Sequence, residues 1–92
     1  MKVIVSPRAQ RDFAAQVQWL SEHSPRTGRR AVTRIVEVLD LLSEFPDLGV
    51  EIASAVREKQ VQFGRDGFVI RYRRTGGTII VQRIFHSRQN RD

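Results

Sequence analysis

The chain contains no cysteine. That removes disulfide frameworks, thiolate nucleophiles and cysteine metal sites, and it fits a reducing compartment. Histidine is nearly absent too: His23 and His86 lie far apart, so no His/Cys cluster for a metal forms and no cofactor is expected. There is no glycine-rich phosphate cradle and no Ser/His/Asp spacing that stands out. No apolar run approaches the roughly 20 residues that span a bilayer. The opening MKVIVSPRAQRD is too short in apolar residues for a signal peptide. The expectation is a soluble protein of the cytoplasm.

What is abundant is arginine. Lys and Arg total 16 against 10 Asp and Glu, a net charge of +6, and 14 of the 16 are Arg. Guanidinium groups suit phosphate and carboxylate forks, so the balance favours an anionic partner. A length of 92 residues, with 40% hydrophobic content, predicts one folded domain over 1–92.

The C-terminal stretch organises the rest. FVIRYRR and TIIVQRIFH flank a TGG break, and Gly-rich punctuation between β-branched, aromatic runs signals a hairpin. Alternation sends Phe68, Ile70 and Tyr72 one way and Val69, Arg71 and Arg73 the other. One face can sit on a core while the opposite face carries positive charge.

Before this hairpin, residues 2–5 form a short strand candidate. Ser6-Pro7 starts a helix, with Ser capping free N–H groups and Pro preset for the first helical position. Ala9, Phe13, Val17 and Leu20 mark its buried stripe and place Trp19 off it. The helix stops near Glu22, leaving His23 in the link, because Ser24-Pro25 repeats the start signal. A second helix runs over 25–44 with Ala31, Ile35, Val38, Leu39 and Leu42 inward and Val32 beside them; Phe45-Pro46 ends it. Residues 47–55 read as a loop, 56–63 as a polar strand near an edge, and 64–67 as a turn. Strands over 68–74 and 78–85 follow, and the tail after Ser87 reads as loose. The order β-αα-βββ predicts an α+β fold, a two-helix hairpin on one face of a small, mainly antiparallel sheet.

Arg26, Arg29, Arg30 and Arg34 crowd the first half of the second helix, the end where the dipole disfavours cations. As a cluster they are candidates for holding an anionic partner, with Arg71, Arg73, Arg88 and Arg91 from the sheet and tail. Trp19 is read as packing on the second helix or the loop, or else as an anchor for a bound segment. Arg83 interrupts an apolar strand and needs a carboxylate; Asp12 is the candidate for a structural ion pair. Histidine is the side-chain type suited to proton transfer near neutral pH, so His86 is the candidate acid or base if the chain cleaves phosphodiesters.

The motifs VSPRAQRDF, EVLDLLSEFPDLG, FVIRYRR and VQRIFHSR, in this order over nearly the whole chain, resemble the ParE/RelE superfamily of type II toxin–antitoxin toxins. EFPDLG and the terminal His resemble its ParE-like branch. The resemblance implies a toxin neutralised by a cognate antitoxin with an acidic C-terminal segment, in a hetero-oligomer. ParE-like toxins inhibit DNA gyrase; RelE-like toxins are ribosome-dependent mRNA endonucleases. Here Gln60, Gln62 and Val69 stand where the nuclease pattern carries cations, and Ser87 where another nuclease branch has tyrosine. Amides and a valine do not stabilise a phosphorane as cations do. The expectation is therefore a growth-inhibiting toxin that binds its target, gyrase first. The alternative is an mRNA endonuclease using His86 with Arg71, Arg73 or Arg88, and Glu58 in a variant site.

Overall fold

The computed structural model describes residues 1–89. Strand β1 (Lys2–Val5) leads into helices α1 (Pro7–His23) and α2 (Pro25–Glu44), then strands β2 (Val50–Ala53), β3 (Val56–Val61), β4 (Phe68–Thr75) and β5 (Thr78–His86). The sheet order is β1-β5-β4-β3-β2; β1 runs parallel to β5 and the other pairs are antiparallel.

Both helices begin as their sequences require. The Ser6 and Ser24 hydroxyls accept from the N–H groups of Ala9 and Thr27, and a proline follows each. The link is Ser24 alone, so His23 ends α1 instead of lying in a connection. Such a tight turn needs close helices: a Cβ on Gly28 would fall 1.9 Å from Ser21 Oγ. The core joins Ala9 of α1 and Ala31, Ile35, Val38 and Leu42 of α2 to Phe68, Ile70 and Tyr72 of β4 and Ile79, Val81 and Ile84 of β5. Phe13 and Leu20 pack against it, as does Leu39, whereas Val32 is 41% exposed.

One expectation fails at the far end. Residues 47–55 are not simply a loop, because Val50–Ala53 pairs with β3 as the outermost strand. β3 therefore lies one strand in from the edge. Of the tail after Ser87, Arg88 and Gln89 are described, and Gln89 N–H donates to the His86 carbonyl; the rest of that expectation lies outside the described residues.

One side chain anchors the approach to β2. The buried Tyr72 hydroxyl accepts from Gly49 N–H at 2.9 Å and donates to the Pro46 carbonyl at 2.7 Å. Burial raises the phenol's pKa, against the Gly49 hydrogen bond, so it stays protonated and able to donate. Tyr72→Phe is expected to lower stability by about 1–3 kcal/mol, because it strands both backbone groups. Urea unfolding measures the loss.

Candidate functional site

The sheet divides the candidate residues. Residues directly opposite on antiparallel strands share a face. His86 lies opposite Phe68, and Ile84 opposite Ile70. That face is the helix side, since Phe68 meets the Phe13 ring edge-on at 5.7 Å. Val69 lies opposite Phe85, and Arg71 opposite Arg83, on the open side; past a bulge, Arg73 lies opposite Ile80. His86 thus projects to the helix side, while Arg71 and Arg73 project to the other.

The open face is not the free cationic surface that alternation implies. Val69 and Phe85 on it are buried. Phe85 lies between two guanidiniums, with Arg71 Cζ at 4.9 Å and Arg83 Cζ at 4.7 Å from its ring centroid. Each guanidinium already holds a carboxylate. Arg71 bonds Glu58 at 2.8 Å and 2.9 Å. Arg83 Nε donates to Asp12 Oδ2 at 2.7 Å and its Nη2 to Oδ1 at 3.1 Å, a two-pronged fork. Arg74 meets Asp47 at 3.1 Å. Arg73 has no carboxylate partner among the described residues.

Asp12 does more than neutralise Arg83. β1 ends at Val5, opposite Val81, so the rest of β5 has no strand on that side. Helix α1 seals this gap. Ser6 takes the carbonyls of Val81 and Gln82, Asp12 accepts from Ile84 N–H at 3.0 Å, and Gln16 Nε2 donates to the Ile84 carbonyl at 2.8 Å. Burial alone would raise the Asp12 pKa. The hydrogen bonds from Arg83 and Ile84, with the charges of Arg83 and Arg8, outweigh it and hold the carboxyl below its ordinary value. The same hydrogen bond, against burial, pushes Arg83 further into its charged form.

Where α1 and the start of α2 meet the 64–67 turn, a groove of about 650 Å³ opens on the helix side. Trp19, Leu20, Phe63 and Phe68 line it, with His86 and Arg88 from the C-terminal strand and turn. Trp19 borders this groove together with Thr27 of α2. It is 60% exposed, its ring 4.5 Å from the His23 ring. Arg30 stands over Phe63 at 5.8 Å, and Arg65 and Arg88 add positive charge. The carboxylate here is Asp66, which bonds Arg88 Nε at 2.9 Å and lies 4.0 Å from His86 Nε2. Arg88 N–H donates to His86 Nδ1 at 3.2 Å, so in the neutral ring Nε2 carries the proton.

Gln16, which lines this groove, carries a polar atom with no partner among the described residues. Gln16 Nε2 is fixed by the carbonyls of Ile84 and Asp12, which orients the amide. Its Oε1 is left buried without a hydrogen bond. An unmet buried acceptor is unfavourable, and a ligand that brings an N–H or O–H relieves it.

The groove gathers Trp19, His86 and Arg88 from the candidates named above, with Arg30 beside it over Phe63. It leaves Arg71 and Arg73 on the opposite face. Arg26 and Arg29 stay exposed on the first turns of α2, and Arg34 bonds the Gln62 carbonyl at 3.1 Å. Arg91 lies outside the described residues. Sequence reasoning missed Gln16, Phe63, Arg65 and Asp66; GRDG carried only a turn signal.

Comparison with known proteins agrees with this architecture. Residues 3–91 match the family model described as ParE toxin of type II toxin-antitoxin system, parDE. Two toxins of Caulobacter vibrioides are similar along their length. Toxin RelE1 is 39% identical over 89 residues, covering 97% of this chain and 96% of the relative. Toxin RelE3 is 34% identical, covering 97% of each. A chain of a solved structure titled as the chromosomal ParDE TA system from P. aeruginosa superposes with a TM-score of 0.73 at 23% identity, over 94% of this chain and 95% of that one, a likeness of fold. With the helical hairpin on a five-stranded sheet and a family match from Val3 to Arg91, this chain belongs to the ParE toxin family of type II toxin–antitoxin systems.

Proposed function

We propose that this toxin acts in the cytoplasm by binding its target, DNA gyrase, and that its cognate antitoxin seats an acidic segment in the groove beside Trp19. The observation that carries the first part is the division of the sheet. A phosphodiester-cleaving site needs its acid or base and its phosphate-stabilising cations around one scissile bond. His86 lies on the helix face and Arg71 and Arg73 on the other, and Arg71 is already bound to Glu58. Arg88 is the cation beside His86, and Asp66 offsets its charge.

The antitoxin reading rests on the groove's chemistry. Apolar rings provide an anchor pocket, Arg65 and Arg88 in its lining, with Arg30 over Phe63, outnumber Asp66, and Gln16 Oε1 asks for a donor. An acidic segment that inserts a tryptophan or tyrosine meets all three demands.

Induced expression tests both parts. Growth is expected to stop with transcripts intact and DNA-damage signalling raised, and purified gyrase is expected to accumulate cleaved DNA. His86→Ala should stay toxic. Codon-positioned mRNA cuts that vanish in His86→Ala would instead establish the ribosome-dependent endonuclease, with His86 as acid or base and Arg88 at the phosphate. Trp19→Ala is expected to weaken antitoxin binding by about 2 kcal/mol or more, the scale of an interface anchor, in a calorimetric titration.

A further inference from the structure

We infer that the open edge of β2 is a second docking surface, which takes an extended, apolar segment rich in lysine or arginine as a sixth strand. The groove beside Trp19 suits an acidic partner; this edge, at the other end of the sheet order, suits the reverse.

Charge is the first observation. Residues 35–56 contain no Lys or Arg, in a chain of net charge +6, yet they carry Glu37, Asp40, Glu44, Asp47 and Glu51. Arg34 reaches Glu37, and Arg57 and Arg74 reach Asp47. Asp40, Glu44 and Glu51 are exposed and meet no cation among the described residues.

Apolar surface is the second. Of the ten large hydrophobic residues exposed in the structure, six fall in this same segment: Val36, Leu41, Phe45, Leu48, Val50 and Ile52. Val50 is the most exposed, at 72%. Phe45, Leu48, Val50 and Ile52 are close in sequence and lead onto or lie in β2.

Backbone is the third. β2 ends the sheet order, and all four of its residues are exposed, so among the described residues its outer side offers unpaired N–H and C=O groups. Edges are usually guarded by lysine, proline, bulges or shortness. β2 is short and bulged, but its one charge is Glu51. That guard repels acidic chains and polyanions and attracts basic ones. It also opposes pairing between two copies of this chain, because an antiparallel β2–β2 ladder brings like carboxylates together. The strand is presented rigidly: Tyr72 holds Gly49 N–H, and Arg57 Nη1 donates to the Gly49 carbonyl at 2.7 Å. A preorganised edge has less ordering to lose on binding.

The test uses the full chain, isotopically labelled, and two short synthetic peptides that alternate valine with lysine or valine with glutamate. The lysine peptide is expected to shift the Val50–Ala53 amides and slow their hydrogen exchange. Glu51→Lys is expected to weaken this binding by about tenfold, with Glu51→Gln between; because residue 51 lies opposite Arg57, thermal unfolding of both variants is measured beside binding, and Glu51→Gln, which adds no like charge, must show the loss as well. Equal binding by wild type and Glu51→Lys overturns the inference. So does equal protection of β2 by the glutamate peptide. Protection of β2 that grows with protein concentration and needs no peptide also overturns it, by assigning the edge to a second copy.

Discussion

Gly67→Ala is expected to remove about 3–5 kcal/mol of stability, much of what a chain of this size holds. Gly67 has φ +95°, a region L side chains rarely adopt. A Cβ there would fall 2.1 Å from the Val61 carbonyl oxygen and 3.0 Å from Phe63 N. Both are backbone atoms of the strand and loop just before the turn, so no side-chain rotation relieves the overlap. Gly64, in the same turn, supplies the control. Its φ is +58°, but a Cβ would meet nothing within 4 Å. Gly64→Ala should lose only the left-handed strain, about 1–2 kcal/mol. Urea unfolding of the two variants separates steric overlap from φ strain. Function should follow stability here. The Gly67 carbonyl accepts from Ser87 N–H at 3.0 Å, and its neighbour Asp66 holds Arg88. A displaced turn therefore opens the groove as well as weakening the sheet.

That groove explains why part of the site was illegible from sequence. The helices were readable because Ser6-Pro7 and Ser24-Pro25 announce their starts and Ala31, Ile35, Val38 and Leu42 repeat at helical spacing. The strands β4 and β5 were readable from alternation around a glycine turn. Periodicity reports which face a residue takes, however, and not what meets it there. Glu58 neutralises Arg71 because the register of β3 on β4 sets the two directly opposite, a fact no single strand contains. Asp66 reaches Arg88 because the 64–67 turn folds beside the end of β5. β2 escaped for a different reason. Val50 and Ile52 face solvent, so they leave no burial pattern, and pairing to β3 alone makes them a strand. Trp19 was legible in part, since its place off the stripe of Ala9, Phe13, Val17 and Leu20 announces exposure, but not the groove that it borders.

Asp12→Ala is expected to lower stability by about 2–3 kcal/mol, below the figure for a fully buried pair because both partners are only partly buried. One carboxylate serves three donors: Arg83 Nε, Arg83 Nη2 and Ile84 N–H. Its side chain is 15% exposed and that of Arg83 20%, so water replaces only part of what is lost. Alanine leaves a guanidinium without its counter-ion and a strand-edge N–H without an acceptor, in the stretch of β5 that β1 does not cover. Asp12→Asn separates charge from shape, since its amide oxygen still accepts from Ile84. The pH dependence then follows from linkage. The folded-state pKa of Asp12 lies below its unfolded value near 4. Its stabilisation is therefore present in full above the unfolded pKa and is lost as pH falls through the folded one. Wild type should lose stability across that acid window more steeply than Asp12→Asn, and the two curves should converge at the acid end. Parallel curves from neutral pH downward would mean that the charge of Asp12 contributes nothing and that its hydrogen bonds alone fasten α1 to β5.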